Sequence, residues 1–195
     1  MALDAAKVLI GTADQQATTG AIRSGALLET IPTTFAEAET ALNAMTSSGY
    51  VSEDGVEFGN DLSTTEIREW NRAIVRKILD TFDNTLTFSL IQQDEASWKQ
   101  AIGDDYVTKT AATAEHGEQL HIKVGAHLAP VKSWGFAMKD GDARIIIIVP
   151  RGQITTLDSI TFNATEAIAL PLTLSCYDDG TSNTAHIFID DGQTA

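Results

Sequence analysis

The chain has 195 residues, with 13 Lys+Arg against 27 Asp+Glu, one Cys and four Pro. That is the length of one domain able to bury a core. A net charge of −14 excludes a protein that holds DNA or RNA by neutralising phosphates. The lone Cys excludes an intrachain disulfide framework or a CxxC zinc module. The longest aliphatic run, residues 145–149, is far short of the roughly 20 apolar residues that cross a bilayer. The opening Met1-Ala2-Leu3-Asp4 lacks the basic and apolar regions of a secretory signal, so synthesis in the cytoplasm is expected.

Taken in chain order, residues 1–65 carry nine acids against Lys7 and Arg23 and hold half of the net charge. Residues 11–25 are mainly Thr, Ala, Gln, Ser and Gly, too poor in apolar surface to offset their own ordering entropy, and read as an arm that a neighbour must order. Thr34-Phe35-Ala36-Glu37 has the form of a capping box, with Ala38, Leu42 and Met45 on one short helical face ending at Ser47-Ser48-Gly49. Tyr50-Val51-Ser52 and Val56-Glu57-Phe58 flank Glu53-Asp54-Gly55, a hairpin signal. Residues 66–80 reverse the local charge, with four bases against three acids. Here Ile67, Trp70, Ile74 and Ile78 fall at helical spacing, and periodicity alone says helix.

From residue 85 the pattern becomes β. Residues 85–91 alternate Leu86, Phe88 and Leu90 with Thr85, Thr87 and Ser89. Asp94 suits an N-cap, and Trp98, Ala101 and Ile102 form one helical face before Gly103. Asp140-Gly141 joins an alternating run, Trp134 to Met138, to the β-branched run at 145–149, a two-residue hairpin signal. Five consecutive β-branched residues imply a strand covered on both faces. Residues 159–164, 169–177 and 186–189 complete at least six strand candidates. Pro171, which cannot donate to a ladder, implies an edge or a bulge there. The expected class is mainly β: a sandwich or barrel-like fold with one short flanking helix and a long N-terminal arm. One domain spans 1–195, divided into the arm (1–25), a loop and hairpin region (30–64) and a β core (65–195) with the helix near 94–102.

Catalytic signatures are missing. There is no P-loop, dinucleotide-binding glycine pattern, nucleophile elbow, HExxH or EF-hand. His116, His121 and His127 match no standard ligand spacing and read as loop histidines rather than a metal site. Asp104-Asp105, Asp178-Asp179 and Asp190-Asp191 read as solvated turn acids rather than calcium ligands. Cys176 reads as a small packed residue, since no nearby base or cation lowers its pKa. Asn163-Ala164-Thr165 matches a glycosylation sequon that means little in a chain without a signal peptide. One tryptophan per element (Trp70, Trp98, Trp134) suits core packing. Catalytic, cofactor-binding and metal residues are therefore all set at none, and the chain is expected not to be an enzyme.

The order of several short stretches nevertheless resembles the major tail proteins, or tail tube proteins, of long non-contractile-tailed bacteriophages, particularly those infecting actinobacteria. These stretches include Met1-Ala2-Leu3-Asp4 with Lys7 and Gly11-Thr12, Ser48-Gly49-Tyr50-Val51-Ser52-Glu53-Asp54-Gly55, and Trp70 with Val75-Arg76-Lys77-Ile78. They continue through Thr87-Phe88, Asp94-Glu95-Ala96-Ser97, Gly103-Asp104-Asp105, Lys132-Ser133-Trp134 and Met138-Lys139-Asp140-Gly141, ending with Val149-Pro150-Arg151-Gly152-Gln153 and Ala169-Leu170-Pro171-Leu172-Thr173. The resemblance implies a β-sandwich tail tube fold with a flanking helix, assembled into hexameric rings whose strands form a continuous inner barrel. It implies rings stacked through the N-terminal arm, a long loop and a C-terminal segment into a virion tail tube that delivers DNA. The partners it implies are further copies of the chain, the tape-measure protein, and the tail terminator and tail tip proteins. Double-stranded DNA passes through without specific binding, no cofactor is needed and no membrane is involved. An acidic wall within a Debye length of roughly 8 Å repels DNA and lets it slide. The resemblance also makes residues 66–80 a strand pairing with 85–92 across Asp83-Asn84, against the periodicity. A C-terminal immunoglobulin-like domain, found in some relatives, is not seen. The alternatives are another virion β-protein (capsid decoration or head–tail joining) and a ligand-binding or hydrolytic β-sandwich.

Overall fold

The β-branched run organises the molecule. It lies in β9 (Ala143–Leu157), which pairs antiparallel with β8 (Lys132–Asp140) across the turn at Gly141-Asp142, where Gly141 takes φ 59°. The structure, a computed structural model, describes residues 8–14 and 20–193. Ile147 and Val149 face the main core, whereas Ile146 and Ile148 face a second cluster with Ala38 and Leu42 of α1 (Phe35–Asn43). Coverage on both faces is thus what the run predicted. α1 starts at the expected capping box: Thr34 accepts from the Glu37 N–H, and Glu37 Oε2 accepts from the Thr34 N–H.

The described residues form a nine-stranded, largely antiparallel sheet. Its order is β3 (Thr46–Ser47), β2 (Ile22–Gly25), β8, β9, β10 (Leu170–Cys176), β5 (Ile74–Leu90) and β4 (Val51–Arg68), with β1 (Thr12–Ala13) on β8 and β11 (His186–Asp190) on β9. β6 (Val107–Thr110) and β7 (Gln119–Ile122) make a separate pair. α2 (Glu95–Ile102) begins at the expected Asp94 cap, which accepts from the Ser97 N–H at 2.8 Å, and packs Trp98, Ala101 and Ile102 into the core. The main core is completed by Leu86, Phe88 and Leu90 of β5, Leu170, Leu172 and Leu174 of β10, and Trp134 and Phe136 of β8. Each fully buried Leu contributes about 1.5–3 kcal/mol relative to exposure.

Several expectations need correction. Residues 66–80 are neither a helix nor a strand paired with 85–92. They close a long hairpin, in which β4 runs up to Arg68, residues 69–73 turn, and β5 runs through Asp83-Asn84 without a break. The Glu69 N–H donates to Ala73 O, the Arg72 N–H donates to Glu69 O, and Arg72 takes φ 67°. The periodicity misled because two register shifts interrupt the alternation of the hairpin. The Glu53-Asp54-Gly55 stretch is a bulge within β4, with Val51 opposite Leu90 and Val56 opposite Phe88, rather than a hairpin turn; Gly55 still supplies φ 75°. Residues 159–164 form no strand. β10 is a central strand, not an edge. Pro171 is tolerated because β9 pairing begins only at Leu172, and the bulge falls between Thr173 and Leu174. Trp98 and Trp134 are core residues, but Trp70 is fully exposed at the hairpin tip.

Candidate functional site

Two surfaces stand out, and they are continuous with each other. The first is the polar face of the sheet formed by the end of β9 with β10, β5 and β4. Residues 84–90 of β5 and 170–176 of β10 alternate buried and half-buried positions, so that even residues enter the core and odd ones face out. Register sets the outward residues in rows: Glu57 opposite Thr87 opposite Thr173 opposite Thr156, then Gly59 opposite Thr85 opposite Ser175 opposite Gln153. The face is mostly hydroxyl. Thr155 Oγ1 and Ser175 Oγ share a hydrogen bond at 2.8 Å, and Ser63 Oγ and Thr81 Oγ1 share one at 2.7 Å. At Gly59 a Cβ would meet Thr85 Oγ1 at 2.7 Å, so the Thr85 side chain lies across the glycine and keeps the row flat.

Asp61 stands directly opposite Asp83 on this face. Like charges opposed across an antiparallel pair are destabilising. Neither has an ion-pair partner among the described residues. A local conflict of this kind marks a position kept for something other than the stability of the isolated chain.

Among the described residues, two free edges flank this polar face. No described strand pairs the outer side of β4, and β8 pairing of β9 stops at Gly152, leaving residues 153–157 open on that side.

The second surface is the distal hairpin. β10 leaves β5 at Asn84, and from there to Ile74 the strand has only β4 beside it. At about 3.3 Å per residue those ten residues project about 33 Å. Every residue from Ile74 to Asp83 is exposed, among them Ile74, Val75, Ile78, Leu79 and Phe82, and Leu62 and Ile67 are exposed on β4. Apolar surface of this extent marks an interaction site. Asn84, buried with its Nδ2 donating to Thr184 Oγ1 at 2.7 Å, marks the end of the core.

Near the N-terminus, Asp14 is buried and pairs with Lys139 at 3.6 Å and Arg144 at 3.4 Å, while Arg144 also holds Glu39 at 2.5 Å. The hydrogen bond to Glu39 raises the Arg144 pKa above its ordinary value. These pairs tie residues 8–14 to β8 and β9. Residues 1–7 and 15–19 of the expected arm lie outside the described residues, and Ile22–Gly25, read as part of that arm, are instead β2, paired with β3 and β8 with Ile22 in the core of this chain.

The residues weighed for chemistry do not converge. Among the described residues no three of His, Cys, Asp and Glu come close enough to hold a metal ion. His127 stacks on Tyr106 with ring centroids 3.4 Å apart, His121 stands opposite Thr108 on β7, and His116 lies in the exposed loop between β6 and β7. Asp104 pairs with Lys132 at 3.0 Å. Asp190 and Asp191 cap the backbone of the last turn, and Asn163 accepts from the N–H groups of Thr165 and Glu166. Burial pushes the Cys176 thiol up to about 12. Burial also pushes the Asp179 carboxyl up, but hydrogen bonds from the Thr181 hydroxyl, the His186 ring and the N–H groups of Thr181 and Asn183 outweigh it and hold the pKa down to about 2. A cleft of about 580 Å³ beside α2 is lined in part by Glu95, Lys99, Asp104 and Lys132, whose charges pair with one another. No helix among the described residues is long and apolar enough to cross a membrane.

The fold and these surfaces define a structural β-protein whose free edges and apolar arm face outward. The chain belongs to the phage tail tube protein family, whose model matches residues 1–195. It is accordingly a structural protein of the bacteriophage virion tail, and that family is not an enzyme class. The chain is also similar to a solved structure titled "Cryo-EM structure of the anti-feeding prophage cap (AFP tube terminating cap)", at 13% identity over 98% of each chain and a TM-score of 0.42. No curated protein matches the chain.

Proposed function

We propose that the chain assembles into hexameric rings that stack into a tail tube, with the hydroxyl and acid face lining the channel through which DNA leaves. The observation that carries this reading is the pairing of two unlike free edges on one sheet with a polar face between them. An edge of β4 that meets residues 153–157 of a neighbour makes a head-to-tail contact, and such contacts close into rings when the rotation permits. Pairing also removes the aggregation hazard of an open edge. Glu57, Asp61 and Asp83 then present negative charge to DNA, so the duplex slides instead of sticking. The distal hairpin reaches toward the next ring. Further copies are the main partners, and the tape-measure, terminator and tip proteins meet the tube inside and at its ends.

Electron microscopy of the concentrated, purified protein tests the proposal. Tubes with an axial hole and sixfold rings support it. A lasting monomer with initiator complex present, or an assembly of another symmetry, rejects it.

A further inference from the structure

We infer that the distal hairpin is a plug with two working faces, gripped between two copies of this chain in the adjoining ring rather than laid on the surface of one. The inference rests on the tube reading above. Opposed residues in an antiparallel pair share a face. Leu62 opposes Phe82, and both continue the core face of the sheet. The register then shifts between Ser63 and Thr64, so that Thr64 opposes Leu79 and Asp80 has no partner. This extra residue is a bulge, and it reverses the alternation of β5. Leu79 therefore joins Leu62 and Phe82, while Ile78, opposite Thr65, moves to the face that continues the hydroxyl rows. Ile67, opposite Arg76, lies on that second face too. Without the bulge, Ile78 and Phe82 would share one side. With it, Leu79 takes that side and Ile78 the hydroxyl side, and Ile78 and Leu79 are 42% and 55% exposed.

A contact on one side leaves the other apolar stripe in water. The charge identifies what grips it. Residues 66–80 carry net +1, whereas the rest of the chain carries nine bases against twenty-four acids. Glu66 is taken by Arg68 and Lys77, and among the described residues Arg72 and Arg76 have no acidic partner. A surface with the composition of the rest of this chain is complementary on both sides. The seam between two ring neighbours offers two such walls, and a plug there ties ring closure to ring stacking.

Photo-cross-linking in assembled tubes tests this. Ile78→Cys, Leu79→Cys and the double variant are labelled with benzophenone maleimide, the buried Cys176 of the parent chain serving as the unlabelled control. Labelled chains are then diluted into excess unlabelled protein and assembled. Each single variant is expected to give a two-chain product, with Ile78→Cys and Leu79→Cys joined to different peptides; the double variant is expected to give a three-chain product. Only two-chain products from the double variant, or no product from Ile78→Cys, overturn the inference. As a label-free check, Ile67→Ser/Ile78→Ser is expected to keep the melting temperature of the monomer and slow tube elongation about tenfold or more, equivalent to one lost contact of ordinary size. Elongation at the parent rate overturns the inference while leaving the tube reading standing. Failure of the unaltered chain to form tubes overturns both.

Discussion

The two halves of the β4–β5 hairpin are one pair of strands in two circumstances. At the base, Leu86 and Phe88 are buried, β10 pairs the far side of β5, and the alternation of core and polar face is clean. Beyond Asn84 the same strands have no third partner, bulges at Asp80 and Val75 break the alternation, and apolar residues appear on both faces. The base is a folding element, and in the assembly proposed above the distal half is the contact element. Stability and assembly are thereby assigned to different residues of one continuous strand, and substitutions should separate them.

The largest contrast comes from matched truncations. Leu174→Ala, at a fully buried position beside the base, is expected to lower unfolding free energy by about 2–5 kcal/mol in chemical denaturation. Leu79→Ala, in the exposed half, should change it by less than about 0.5 kcal/mol and yet impair tube elongation followed by light scattering. Equal stability losses at the two sites would erase the distinction. At the tip, Arg72→Gly removes a side chain from a left-handed backbone position and should stabilise the monomer by about 1–2 kcal/mol, while elongation slows because a cation is lost.

On the polar face, Asp61→Asn relieves the opposed pair and is expected to stabilise the monomer by about 0.2–1 kcal/mol. Asp61→Lys should leave tube formation intact and slow DNA exit from assembled particles; normal ejection would remove the acids from the account. The most local effect, confined to acid pH, is at the Asp179 loop. Its carboxyl titrates at about 2 when folded against an ordinary 3.8, so its contribution is fully present above about pH 4 and is lost as pH falls toward 2. Amide exchange of residues 178–186 should rise over that window in the parent and show no such step in Asp179→Asn.

Where local chemistry and tertiary packing agree, the elements were legible. The Thr34 and Asp94 caps, the Gly141 turn, the alternation at 85–91 and the doubly covered run at 145–149 all form as their residues indicate. The polar side of β5 was legible too, as Thr85, Thr87 and Ser89. Its continuity with Thr173 and Ser175 was not, because register between distant strands leaves no local trace. The hairpin was misread for a related reason. A bulge shifts the phase of a strand by one residue, and Trp70, Ile74 and Ile78 then mimic a helical stripe. Gly55 was recognised as a positive-φ position, but a bulge and a turn demand the same glycine. Trp70 reads as a core residue because an apolar side chain carries no local sign of whether it is buried or, as here, exposed at a hairpin tip. Membership of the tail tube family came instead from the order of short stretches, none of which carries chemistry.

A cryo-EM reconstruction of the assembled protein tests the central claim most directly. The account predicts that Asp61, Asp83 and Thr85 line the channel and that each hairpin tip enters the adjoining ring with Trp70 covered. A tube whose hydroxyl rows face outward, with the hairpins free in solvent, would contradict it.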